Sequence, residues 1–232
     1  MAMKIVGIIG GIGPASTIEY YRQIVSFYLA NSATGHYPKI IINSIDMTKM
    51  LGLISSGELE EVSQYLAVEV QKLESVGADF GVLASNTPHI VFNRIRELSQ
   101  LPLISIVEVT GRAITATGSN KVALLGTKFT MQGGFYAEVF SRYGIEIITP
   151  DETAQCFIHD KYMGELVKGI ALAQTRAALI NVIEKMKQRN HIEGVILGGT
   201  ELPLILQPGD VSGIQVFDTT AIHVESIIEN LS

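Results

Sequence analysis

The sequence has no tryptophan, a single cysteine in 232 residues, and only 7% aromatic residues. A lone thiol, Cys156, excludes an intramolecular disulfide and a thiolate metal cluster. So few aromatics argue against a platform for stacking nucleic-acid bases. Positive charge is sparse as well: 17 Lys and Arg against 23 Asp and Glu leave a net charge of −6, with the cations scattered. Without a basic track for phosphates, nucleic acid is not an expected partner. No apolar run approaches the ~20 residues that cross a bilayer. The opening MAMKIVGIIGG leads into Gly-Pro instead of a cleavage site. The five histidines show no HxxxH or HExxH spacing, so no metal site is expected. The expectation is a soluble, cytoplasmic protein with no membrane partner.

What the chain does have is apolar content, 47% of its residues, with a mean hydropathy of +0.31. That suffices for one large core or two of roughly 100–120 residues each. KIVGII (4–9) is a continuous apolar strand, followed by GGIGPAST and a helical pattern from about Thr17 to Leu29. KIIINSI (39–45), FGVLA (80–84) and LPLISI (101–106) read as further strands, with helical spacing from Ser56 to Val76 and in HIVFNRIREL (89–98). Runs apolar on both faces suit parallel strands covered by helices.

The pattern then restarts. KVALLG (121–126) echoes the first strand, and IEIITP, GVILGG and IQVFDT supply three more, with a largely helical stretch from Met163 to Arg189. Lys4 and Lys121 stand 117 residues apart (121 − 4), Ser85 and Gly199 114 (199 − 85), and Val107 and Phe217 110 (217 − 107). Such offsets predict a duplicated α/β unit with mainly parallel sheets. The expected domains are 1–105 plus 212–232 and 106–211, related by a pseudo-twofold. In open parallel sheets the reactive loops lie at the carboxyl ends of the strands, so the expected site is a cleft between the two domains.

The strand ends carry the candidate residues. Gly11 and Gly13 in GGIGPAS lack the third glycine of a dinucleotide fingerprint and read better as a backbone N–H anion pocket at a helix start. Ser85, Asn86 and Thr87 follow one strand, Thr127 and Thr130 another, and Gly199, Thr200 and Glu201 a third. Hydroxyls, an amide and backbone N–H groups there suit a carboxylate, or serve as ordinary helix caps. Among ionisable groups, Asp46 follows a strand, Glu201 could act as an acid–base group if burial raised its pKa, and His89 opens a helix. The cluster His159-Asp160-Lys161-Tyr162 reads as a solvated helix face, and Cys156 just upstream of it as an inert buried thiol.

Taken in order, GIIGGIGPAST, GADFGVLASNTPHIVF, VALLGTKFTMQGGFY, IHDKYMGELVKG, GVILGGTELPLIL and VFDTTAIH resemble the aspartate/glutamate racemases of the Asp/Glu/hydantoin racemase superfamily. The resemblance implies cofactor-independent racemisation of a small acidic amino acid by a protein that is often dimeric. It also implies two thiols flanking the substrate α-carbon, one removing the proton and the other delivering one from the opposite face. Substrate-carboxylate contacts would fall on Asn86, Thr87, Thr127 and Thr200, with charged contacts near Asp46 and Lys161.

Here the chain departs from the family. Ser85 stands at the first thiol position and Gly199 at the second. Some relatives carry threonine at the first, but a two-thiol mechanism cannot run through a serine and a glycine. Amino-acid racemase-like isomerisation with substitute groups among Asp46, His89 and Glu201 is the leading expectation. The alternatives are another reaction on a small carboxylate (isomerase, hydrolase or decarboxylase type), aided by oxyanion stabilisation, or a non-catalytic carboxylate-binding protein. Restoring cysteine at both corners would show whether the rest of the site is intact.

Overall fold

The computed structural model describes residues 3–31 and 36–231. The chain forms two compact units, Met1–Ile106 with His223–Ser232, and Val107–Ile222. The first contains β1 (Ile5–Gly10), α1 (Pro14–Asn31), β2 (Lys39–Ser44), α2 (Met47–Ser55), α3 (Leu59–Ser75), β3 (Phe80–Leu83), α4 (Phe92–Leu98) and β4 (Leu103–Ile104). The second runs through α5 (Ile106–Thr117), β5 (Lys121–Gly126), α6 (Lys128–Gln132), α7 (Phe135–Ser141), β6 (Glu146–Ile148), α8 (Glu152–Gly164), α9 (Ala173–Asn190), β7 (Gly194–Gly198) and β8 (Gln215–Asp218). Helix α10 (Thr219–Leu231) carries the chain back into the first unit.

Each unit holds one four-stranded parallel sheet, in the orders β2-β1-β3-β4 and β6-β5-β7-β8. The same order twice is what a duplicated α/β unit requires, since each strand of one sheet has its counterpart in the other. In the first unit Val6 and Ile8 of β1 and Phe80 and Val82 of β3 pack on Tyr20 and Ile24 of α1 and on Val224, Ile227 and Leu231 of α10. The opposite face of β1 lies against α3, and a Cβ on Gly7 would meet Leu73 at 2.9 Å. Strands covered on both faces explain why they read as unbroken apolar runs. The second core joins Ala123, Leu125, Val195 and Leu197 of its sheet to Ile158 and Tyr162 of α8 and to Leu179, Ile183 and Met186 of α9.

Several expectations are corrected. The chain returns to the first unit at His223 rather than at 212, because β8 pairs with β7 from Gln215 to Asp218 and so belongs to the second sheet. The fourth strand is only Leu103–Ile104, since residues from Ile106 already turn into α5. The stretch from Met163 to Arg189, read as largely helical, holds the end of α8, a 3-10 turn over Leu166–Lys168 closed by Gly169 at φ +75°, and most of α9. Helix α2, which the sequence reading passed over, is started by the Asp46 side chain.

Candidate active site

In the first unit the carboxyl ends of β1, β2 and β3 lie side by side, so three loops gather there. After β1 the chain turns through Gly11 and Gly13 at φ +79° and +87° and enters α1 at Pro14. Only glycine fits Gly11 on two counts: its φ is left-handed, and a Cβ would lie 2.4 Å from the Ile45 carbonyl oxygen. Thr17, one turn into α1, accepts a hydrogen bond from the Gly11 N–H at 2.9 Å, and its own hydroxyl faces the Gly13 carbonyl at 3.3 Å. Ser16 donates to the Ala84 carbonyl at 2.9 Å and so ties this turn to the loop after β3. Part of the expected N–H pocket is therefore occupied internally by Thr17.

The loop after β3 carries Ser85, Asn86 and Thr87, all buried, and continues as a 3-10 turn over Thr87–Val91. His89, 4% exposed, lies beneath it, stacked on Phe92 with ring centroids 4.6 Å apart. Its Nδ1 is 3.0 Å from the Ser85 carbonyl oxygen, and its Nε2 is 3.3 Å from the Ile106 amide nitrogen. A carbonyl accepts and an amide N–H donates, so Nδ1 carries the ring's one proton and Nε2 accepts the hydrogen bond from the Ile106 N–H. Burial, with a smaller contribution from His223, pushes the His89 pKa down to about 3. The ring is neutral, and its two hydrogen bonds make it a strut beneath the Ser85 carbonyl. Asp46 also has another role. It is exposed, and its carboxylate caps α2 by accepting from Thr48 N–H at 2.8 Å and Lys49 N–H at 3.3 Å.

In the second unit the carboxyl ends of β5 and β7 are adjacent, with Gly126 opposite Gly198. Thr127 caps α6, accepting from the Thr130 N–H at 3.2 Å while its hydroxyl lies 3.1 Å from the Thr130 hydroxyl. Lys161 of α8, a predicted substrate contact, is paired with Glu165 at 2.5 Å. Glu165 in turn accepts from Thr175 at 2.6 Å, so Lys161 takes part in fastening α8 to the start of α9. Cys156, on the same helix, is half-buried rather than fully buried.

Gly199, Thr200 and Glu201 form a sharp corner after β7, leading into a 3-10 turn over Leu202–Leu204. The backbone at Gly199 is outside the left-handed region, so conformation alone does not demand glycine there. The neighbour does. A Cβ at this position would meet Tyr162 of α8, at 2.4 Å from Cε2 and 2.9 Å from the hydroxyl oxygen. The Tyr162 hydroxyl donates to the Glu201 carboxylate, and the Thr200 hydroxyl donates to the same carboxylate oxygen at 3.0 Å. Glu201 is 2% exposed and Tyr162 6%. Burial first, then the Glu201 charge, holds the Tyr162 phenol well above the usual tyrosine range, so it stays protonated. Sequence reasoning put Tyr162 on a solvated face. The signal available to it was the glycine at 199, whose missing side chain leaves room for a ring from elsewhere.

Among the described residues no three His, Cys, Asp or Glu side chains are grouped to hold a metal ion, and no helix is long and apolar enough to cross a membrane.

Comparison with known proteins assigns the architecture. Residues 9–227 match the Asp/Glu/hydantoin racemase family. The broad specificity amino-acid racemase RacX of Bacillus subtilis is 26% identical over 237 residues, covering 96% of each chain. The crystal structure of an aspartate racemase homologue from Pyrococcus horikoshii OT3 superposes with a TM-score of 0.85 at 34% identity, covering 99% of each chain. The aspartate racemase of Picrophilus torridus shares the fold, with a TM-score of 0.78 at 24% identity over 98% of this chain and 94% of its own. With two sheets of the same strand order and a match over nearly its whole length, this chain belongs to the Asp/Glu/hydantoin racemase family and is an isomerase of the racemase type.

Proposed function

We propose that the protein moves the α-proton of a small acidic amino acid without a cofactor, working as a homodimer in the cytoplasm. The observation that carries this reading is the pair of matched corners after β3 and β7, where buried hydroxyl and amide side chains sit at the carboxyl ends of central strands. Asn86 and Thr87 after β3, with Thr127 after β5 and Thr200 after β7, are the candidate contacts to the substrate, its carboxylate taken by hydroxyl, amide and N–H donors. Ser85 would take the place of the first family thiol, as threonine does in some relatives.

The test is incubation with aspartate, glutamate and a panel of other amino acids, both enantiomers of each, in deuterated water. Mass spectrometry would read α-deuterium and chiral chromatography the configuration. Label in the α-position of at least one acidic amino acid is expected. Absence of label across the whole panel would sink the proposal. The two missing thiols favour a second reading, a carboxylate-binding protein without turnover. It predicts melting-temperature shifts with dicarboxylates such as malonate or succinate and no label in any amino acid.

A further inference from the structure

We infer that the Tyr162 phenol, backed by the Glu201 carboxylate, is the proton-transfer group that replaces the thiol of the second corner. The inference rests on the proposed α-proton chemistry and adds the group that performs it on this side. A side chain at position 199 would project from a Cβ that lies 2.9 Å from the Tyr162 hydroxyl oxygen. The oxygen therefore occupies the neighbourhood a thiol at 199 would fill, brought there by α8 instead of by the loop itself. Glycine at 199 and tyrosine at 162 are two parts of one exchange: the loop gives up its side chain, and a helix supplies a different polar atom to the same place.

A phenol alone is a poor substitute. Buried beside a carboxylate, it resists becoming phenolate, because two negative charges would then share a water-poor corner. The same pairing permits a relay that never forms phenolate. As the substrate Cα–H bond breaks, its proton passes to the Tyr162 oxygen, and the proton already on that oxygen passes to the Glu201 carboxylate. The electron pair of the C–H bond moves into the substrate carboxylate as an enolate. Reversal of the steps returns a proton to the α-carbon. Glu201 is thus the base, and Tyr162 the atom that carries its basicity to the position of the lost thiol. Thr200, donating to the same Glu201 oxygen at 3.0 Å, holds the carboxylate in line for the transfer.

Two variants test this. Tyr162→Phe keeps the ring against Gly199 and removes the hydroxyl, while Glu201→Gln keeps the shape and removes the base. With the wild-type protein exchanging α-hydrogen for deuterium, each variant is expected to exchange at least about 100-fold more slowly, the usual range for losing a general acid–base group. Binding of malonate, followed by calorimetry, should stay within about threefold of wild type in Tyr162→Phe. A Tyr162→Phe protein that binds malonate and exchanges at the wild-type rate would overturn the inference and leave the proposed function standing. A wild-type protein that exchanges nothing would overturn both.

Discussion

At the scale of single residues, the absence of cysteine at 85 and 199 has two different physical meanings. On the proposed reading Ser85 would be an exchange of sulfur for oxygen, in a loop held by the His89 ring beneath it. Gly199 would be an exchange in which a second residue fills the space, since Tyr162 stands where its Cβ would be. Cysteine restored at 199 alone would place its Cβ 2.4 Å from the Tyr162 ring, so the helix or the loop must shift. Gly199→Cys is expected to lower stability by about 1–3 kcal/mol in urea unfolding, the range for overpacking a filled site. Ser85→Cys with Gly199→Cys is expected to yield no thiol-dependent racemisation, whereas adding Tyr162→Ala to that pair makes room for the second thiol. Chiral chromatography of aspartate and glutamate incubated with each variant distinguishes the two. Thiol-dependent activity in the double variant would contradict the packing argument. At Gly11 the nearest obstacle is the Ile45 backbone, at 2.4 Å from its oxygen and 2.7 Å from its nitrogen, which cannot swing away as a side chain can. Gly11→Ala is therefore expected to cost at least about 2 kcal/mol, measured in the same way.

At the scale of elements, legibility in the sequence followed burial. Strands β1, β3, β5 and β7 lie at the centres of their sheets and are apolar on both faces, so each was visible as a run, and the repeat could be read from their spacing. The edge strands β4 and β6 have two and three residues, and nothing in LPLISI distinguishes a short strand running into α5 from a long one. The unit boundary was misplaced because hydrogen-bonding partners decide it. IQVFDT is a strand by any pattern, but only pairing with β7 assigns it to the second sheet. The small and hydroxyl residues of the candidate site were legible because they stand at the carboxyl ends of parallel strands. The burial of Tyr162 was not, because it arises from a contact between α8 and a loop some 40 residues later, which no local pattern encodes. Asp46 illustrates the converse. Its position after a strand suggested chemistry, while its carboxylate is spent on starting α2. Asp46→Ala should cost about 1 kcal/mol in urea unfolding through the lost cap, with deuterium exchange into substrate unchanged. A loss of exchange larger than the loss of folded protein would return Asp46 to the catalytic candidates.

At the scale of the whole molecule, two buried histidines give the first unit a pH dependence that the second does not share to the same degree. His223 on α10 is fully buried, its Nε2 3.1 Å from the Ile104 carbonyl oxygen and its Nδ1 2.8 Å from the Tyr20 hydroxyl. The carbonyl requires Nε2 to carry the proton, so Nδ1 accepts from Tyr20 and the ring is neutral. Burial lowers its pKa to about 4, and that of His89 falls to about 3, against 6.5 for both when unfolded. Between these limits the unfolded chain binds more protons than the folded one, so stability rises with pH. The contribution is complete above about pH 6.5 and is lost progressively as acid approaches the folded values. At pH 4 each histidine should account for about 3 kcal/mol of lost stability relative to neutral pH. Because α10 joins the core of the first unit through Val224, Ile227 and Leu231, protonation of His223 also weakens the hold on the chain's last helix. Hydrogen exchange followed by mass spectrometry at pH 7 and pH 4.5 should show amides of α10, β1 and β3 losing protection before those of β5 and β7. The urea midpoint should fall over the same interval, and His223→Gln, which cannot be protonated, should remove close to half of the slope. Uniform loss of protection across both sheets, or a slope unchanged in His223→Gln, would show that acid acts elsewhere in the molecule.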